Sequence, residues 1–82
     1  NTETIEVSKD VLNNNSNVID VLMLSGIFES KSEIKRLIEQ NGVSINGEKV
    51  KSLDMIITEA MLEDNALLIQ KGKKKFIKML FV

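Results

Sequence analysis

Two rhythms of apolar residues run along this 82-residue chain, one helical and one alternating. Val18, Ile19, Val21, Leu22 and Leu24 recur at helical spacing, which predicts a first helix over about residues 18–25. Asn17 stands ready as its N-cap, Asp20 falls in the first turn and Gly26 supplies the stop. Ser30 followed by Glu33 forms a capping-box pattern, and Ile34, Leu37 and Ile38 then place an apolar stripe on a second helix over about residues 31–40. Asn41-Gly42, two residues that tolerate positive φ, ends that helix.

The alternating rhythm takes over at Val43, Ser44 and Ile45, a short strand that runs into Asn46-Gly47, the strongest short-range hairpin signal. Pairing across this turn sets Ile45 opposite Glu48, Ser44 opposite Lys49 and Val43 opposite Val50. Val43, Ile45 and Val50 are then expected on a buried face, Ser44 and Lys49 on an exposed one. Ala66–Gln70 reads as another strand, Lys71-Gly72-Lys73 as a turn, and Lys74–Val82 as the return, where Phe76, Lys78 and Leu80 alternate with Ile77, Met79 and Phe81.

Two stretches resist this reading. Between Lys51 and Asn65, Met55-Ile56-Ile57 suits a buried strand and Thr58–Leu62 a single helical turn, and periodicity does not choose between them. Ahead of the first helix, Ile5, Val7, Val11 and Leu12 offer some apolar contacts, but the loop Asn13-Asn14-Asn15-Ser16-Asn17 interrupts them. The expected organisation is a lead-in arm, residues 1–16, and one domain, residues 17–82. Its fold class is α+β, with two N-terminal helices followed by a small, mostly antiparallel sheet of two hairpins.

Composition narrows the chemistry. Hydrophobic residues make up 43% and charged residues 28%, the balance of a folded soluble domain. No apolar run approaches the roughly 18 residues of a membrane span, and the polar, acidic start is unlike a signal peptide, so no membrane contact is expected and the cytoplasm is the default location. Cysteine and histidine are absent, which removes disulfides, thiolate metal sites and the commonest general base. The serines therefore have no histidine partner, and Lys71-Gly72-Lys73 lacks the glycine loop of a nucleotide site. No catalytic, cofactor or metal site is expected in this segment. Beginning at Asn1, the chain suggests a piece of a longer protein.

The net charge of −1 hides an asymmetry. Residues 1–30 hold one basic and five acidic groups, a net of −4, whereas residues 31–82 hold ten basic and seven acidic groups, a net of +3. At about 100° per residue, the second helix turns Lys31, Lys35 and Arg36, with Ser32 and Glu39, away from its apolar stripe. The hairpin that follows is close enough to bring Ser44 and Lys49 alongside, with Lys51 beyond. Lys71, Lys73, Lys74 and Lys75 form the densest charge run and sit at a hairpin tip. Phosphates are attracted to such surfaces by Coulomb interaction and counterion release, and Arg36 adds bidentate geometry. An ordinary solvated face and a solubilising turn explain the same lysines. With no tryptophan or tyrosine, and Phe28, Phe76 and Phe81 in apolar patterns, no platform for stacking bases is evident, so recognition of folded RNA by shape and backbone fits better. The four methionines read as core filler.

The stretch SKSEIKRLIEQNGVSINGEKV, Ser30–Val50, resembles the alpha-L RNA-binding motif first associated with small-subunit ribosomal protein S-four. Several families carry that module, including pseudouridine synthases and ribosome-associated heat-shock factors. The flanks, NVIDVLMLSGIF and ALLIQKGKKKFIKMLFV, look like those of the C-terminal tRNA-binding domain of bacterial tyrosyl-tRNA synthetases, so the resemblance spans about residues 18–82. It implies a parent, homodimeric and cytoplasmic, whose separate catalytic domain uses ATP and magnesium to attach tyrosine while this segment grips the variable arm and anticodon stem of the tyrosine-accepting tRNA. It also implies RNA contacts at Ser30, Lys31, Ser32, Lys35, Arg36, Asn46 and Lys49, with Lys71, Lys73, Lys74 and Lys75 beside them. The chain departs from the family pattern where Lys35-Arg36 stands for two arginines, where Asn41-Gly42 stands for paired glycines, and at Leu62–Asn65, which lacks the usual glycine. An RNA-binding module of another protein and a protein-interaction domain stay open as alternatives.

Overall fold

The computed structural model describes residues 3–14 and 16–82, so Asn1, Thr2 and Asn15 of the expected arm and loop lie outside the described residues. The chain forms β1 (Glu3–Val7), α1 (Val18–Leu24), α2 (Lys31–Glu39), β2 (Val43–Ile45), β3 (Glu48–Lys49), β4 (Ala66–Lys71) and β5 (Lys75–Phe81), with short 3₁₀ turns at Lys9–Asn14 and Glu59–Met61. The five strands make one mixed sheet in the order β1-β5-β4-β2-β3. Both helices arise where the periodicity places them. Asn17 Oδ1 accepts the Ile19 N–H at 2.8 Å to open α1, and Ser30 Oγ accepts the Glu33 N–H at 3.2 Å to open α2.

One core joins helices and sheet. Val18, Val21 and Leu22 of α1 and Ile34 and Ile38 of α2 pack with Val43, Leu67, Ile69, Ile77, Met79 and Phe81 of the strands. The period of two explains the strand contribution: in β5, Ile77, Met79 and Phe81 are buried, whereas Phe76 and Lys78 face outward. The first hairpin has the expected register, Ser44 opposite Lys49 and Ile45 opposite Glu48, with the Val50 N–H donating to Val43 O at 2.9 Å.

Four backbone turns show how this chain manages positive φ with few glycines. Asn41 takes φ 59° immediately after α2. Its N–H donates to Ile38 O at 3.1 Å and that of Gly42 to Leu37 O at 2.7 Å, the paired bonds of a Schellman cap. Gly42 itself is needed for space, because a Cβ there would stand 3.2 Å from Leu37 Cδ2 and 3.3 Å from Leu37 O. Asn46-Gly47 (φ 50° and 85°) closes the first hairpin, Gly72 (φ 66°) begins the second tip, and Asp64-Asn65 (φ 52° and 62°) forms a two-residue turn between Glu63 and Ala66. The glycine missing from Leu62–Asn65 is thus replaced by Asp and Asn, the L-residues that best tolerate this region.

Two expectations require correction, and one open stretch is resolved. The order of two helices followed by a sheet fails at the start: Glu3–Val7 is a strand, and it runs parallel to β5 with Ile5 opposite Met79 and Val7 opposite Phe81. Five residues with two inward side chains, pairing without a turn to the far end of the chain, leave little local signal. Ser44, expected on an exposed face, is buried, because β3 and β4 flank it and set Lys49 and Gln70 across from it. Lys51–Asn65 contains a fragment of each alternative. Ile56 makes an isolated bridge to Asn17, and Glu59–Met61 winds one 3₁₀ turn. The stretch is pinned to the start of α1 by Val18 N–H to Met55 O at 2.8 Å and Ile57 N–H to Ser16 O at 2.9 Å.

Asn46 makes three bonds that hold the first hairpin to its neighbours. Its N–H donates to Leu68 O at 2.9 Å, its Nδ2 donates to Met61 O at 3.0 Å, and its Oδ1 accepts the Leu68 N–H at 2.8 Å. Asn46→Ala deletes the two side-chain bonds and places a Cβ-bearing residue of lower tolerance at positive φ. The expected loss is about 2–3 kcal/mol, read as a lower urea midpoint with an unchanged slope.

Candidate nucleic-acid interface

Helix α2 presents the first half of the site. Its N-cap Ser30 is exposed with its Oγ already accepting the Glu33 N–H, and Lys31 and Ser32 follow in the first turn, also exposed. Lys31 Nζ stands 3.0 Å from Asp20 Oδ1 of α1, but both side chains are more than half exposed, so the pair is weak and open to exchange for another anion. Lys35 and Arg36 are exposed, and among the described residues no carboxylate pairs with either. The helix therefore offers two uncompensated cations and a third that is loosely held.

The β4–β5 tip presents the second half, and Lys71 fixes its place. Lys71 Nζ lies 2.6 Å from Glu33 Oε1, donates to Ile27 O at 3.0 Å and stands 5.4 Å from the centre of the Phe28 ring. With 29% of its side chain exposed, against 16% for Glu33, this lysine is an anchor between the tip, the α1–α2 connection and α2. The Gly72 N–H adds a bond to Gly42 O at 2.7 Å, tying the tip to the turn after α2. Lys73, Lys74 and Lys75 are carried out from this anchor, exposed and, among the described residues, unpaired with any carboxylate. The tip is thus tied to α2 and to the turn that follows it, elements about thirty residues earlier in the chain.

Asn46 and Lys49 both make hydrogen bonds within the fold. The Asn46 amide is occupied at both ends by Met61 and Leu68. Lys49 is exposed, and its Nζ reaches the turn after α2 to donate to Asn41 O at 2.9 Å. It keeps further donors free at that end of the helix.

Glu33, Ile27 and Leu37 adjoin the basic residues without belonging to them, and the sequence pattern conceals their place. Glu33 reads as a capping-box partner, but its carboxylate turns to Lys71. Its hydrogen bond with Lys71 holds its pKa below the ordinary 4.5, helped by the Lys71 charge, the Glu29 backbone and Arg36 and opposed by burial. Ile27 and Leu37 floor a shallow depression whose walls are Lys71, Gly72, Lys73, Lys74 and Lys75. Leu37 was expected only as part of the apolar stripe of α2, and the sequence reading gave Ile27 no role. Among the described residues no group of three or more metal-ligating side chains gathers, and no helix is long and apolar enough to cross a membrane.

The model of the tyrosine–tRNA ligase SYY-like C-terminal domain family matches residues 3–79, nearly the whole chain. The chain belongs to this family. The match begins within β1, so family likeness extends into the segment expected to be only an arm. Similar proteins include the tyrosine–tRNA ligases of Clostridium tetani, 42% identical over 76 residues, of Caldanaerobacter subterraneus, 42% over 77 residues, and of Pelagibacter ubique, 38% over 79 residues. These alignments cover 93%, 94% and 96% of this chain but only 18%, 18% and 19% of the relatives. The chain therefore spans under a fifth of the length of each of these ligases.

The Glu33–Lys71 pair gives this family member a testable acid sensitivity. A carboxylate whose folded pKa is lowered stabilises the fold above its unfolded value, near 4.5, and loses that contribution as pH falls through the folded value. Glu33→Gln is expected to lower the thermal midpoint at pH 7, and the gap from the parent chain is expected to close as pH falls below 4.5. Melting curves from pH 7 to pH 3 provide the check.

Proposed function

We propose that this domain binds tRNA through one continuous basic surface, formed by Ser30, Lys31, Ser32, Lys35 and Arg36 of the α2 region and Lys73, Lys74 and Lys75 of the β4–β5 tip. The observation that carries this reading is the anchor at Lys71, which brings the tip to α2 and leaves its neighbouring lysines without carboxylate partners among the described residues. Lys71 supports the surface rather than contacting RNA. Lys49 extends the surface at the C-terminal end of α2.

Family membership supports tRNA as the RNA. As part of a tyrosine–tRNA ligase, the domain holds the tyrosine-accepting tRNA by its variable arm and anticodon stem. A separate catalytic domain, working as a homodimer with ATP and magnesium, attaches tyrosine. This segment adds affinity and orientation and performs no chemistry. Exposed lysines suit a phosphate backbone because they give charge without demanding one base, and Arg36 adds a bidentate contact. Asp20 and the acidic residues of β1 keep the remaining surface from attracting RNA indiscriminately.

Charge reversal tests the proposal. In titrations at about 0.1 M salt, Lys35→Glu with Arg36→Glu is expected to weaken binding to tyrosine tRNA on the order of 100-fold and to flatten its salt dependence. Shortening the variable arm is expected to weaken the unmodified domain. Equal affinity for every RNA tested would remove the tyrosine-tRNA assignment, and unchanged affinity in the double variant would remove this surface from the interface.

A further inference from the structure

The depression between the β4–β5 tip and α2 has a composition that a phosphate-binding surface does not require. Its floor is Ile27 and Leu37, and its walls are Lys71 through Lys75. Lysines that only meet a duplex backbone need no apolar floor, because a duplex turns phosphates and sugars outward and keeps its bases stacked inside. An apolar floor within a cationic rim matches a ligand that has a flat, weakly hydrated body and an anionic group a few ångströms away.

We propose that this depression seats one unpaired nucleotide of the bound RNA, its base lying on Ile27 and Leu37 and its phosphate held by Lys73, Lys74 and Lys75. The assignment rests on the RNA-binding reading above and goes beyond it, since it names a base contact on a surface otherwise built for backbone.

The seat is held on three sides. Leu37 is set by the helix core on one side and by Gly42 on the other, where a Cβ would come within 3.2 Å of its Cδ2. Ile27 is fixed through its carbonyl, which accepts from Lys71 at 3.0 Å. The wall is fixed by Gly72 N–H to Gly42 O at 2.7 Å. Preorganisation of this kind removes the cost of ordering the protein when the ligand arrives. The phenylalanines do not compete for the role. Phe28 and Phe81 are buried, and Phe76 lies on β5 with Lys78 on the outward face of the sheet. An aliphatic floor accepts any base, so the site reads the presence of an unpaired nucleotide rather than its identity.

The test compares two RNA hairpins that differ by a single bulged 2-aminopurine, titrated with the unmodified chain and with Ile27→Gln at about 0.1 M salt. The bulged hairpin is expected to bind about tenfold tighter than its fully paired counterpart, with a change in 2-aminopurine fluorescence on binding. Ile27→Gln is expected to remove the preference and the fluorescence change while keeping affinity for the paired hairpin, a readout that also shows the variant to be folded. Equal binding of the two hairpins by the unmodified chain, with no fluorescence change, overturns the nucleotide seat and leaves the basic surface standing. A preference that survives Ile27→Gln also overturns it, because the nucleotide then rests elsewhere. Failure to bind either hairpin overturns both the seat and the RNA reading.

Discussion

The inward-turned, half-buried ammonium of Lys71 is the contact on which the site depends. A hairpin tip carrying four lysines within five residues would, left to electrostatics, swing away from a helix bearing Lys31, Lys35 and Arg36. One of the four is instead turned inward to Glu33, the Ile27 carbonyl and the Phe28 ring. The attraction is placed where it is shielded, and the repulsion is left at the surface, where water and salt weaken it. The result is a patch of high positive charge held in fixed geometry. Glu33 is the necessary counterpart: the acidic residue in the first turn of α2 favours the helix end, and in this fold it also compensates the one inward cation.

Much of this was legible in the chain. The two helices, their caps and both hairpin turns follow from short-range signals: Asn17 and Ser30 as caps, Asn46-Gly47 and Lys71-Gly72-Lys73 as turns, and strict alternation from Phe76 to Phe81. Those signals work because each depends on neighbours within about four residues. Strand β1 was not legible. Its partner lies more than seventy positions away in register, Glu3 against Ile77, and no local pattern encodes a parallel pairing of that span. Ser44 failed for a related reason, since burial of a middle strand depends on the strand that arrives on its other side, here β4.

The candidate site divides along the same line. Lys35, Arg36 and Lys73–Lys75 are exposed where charge patterning places them. Residue type does not reveal which polar groups the fold has already used. Asn46 looks available for RNA but spends its amide on Met61 and Leu68, and Lys71 looks like one more free lysine but is the anchor. Ile27 and Leu37 carry the opposite lesson. Half-buried apolar residues show no sign of a site until the tip closes beside them and turns them into the floor of a depression. Positive-φ asparagines at 41 and 65 show a further economy: where family members are expected to use glycine, this chain uses residues that keep a hydrogen-bonding side chain at the turn.

The central claim is that α2 and the β4–β5 tip act as one RNA surface. The most direct measurement is a backbone amide chemical-shift titration of the isotopically labelled chain with a hairpin copying the variable arm of tyrosine tRNA. The account predicts shifts that saturate together at Lys31, Ser32, Lys35, Arg36, Gly72, Lys73 and Lys74, with β1 and the outward sheet residues Leu68 and Lys78 unmoved. Saturation of the helix and tip residues at different RNA concentrations, or shifts centred on Leu68 and Lys78, would contradict it.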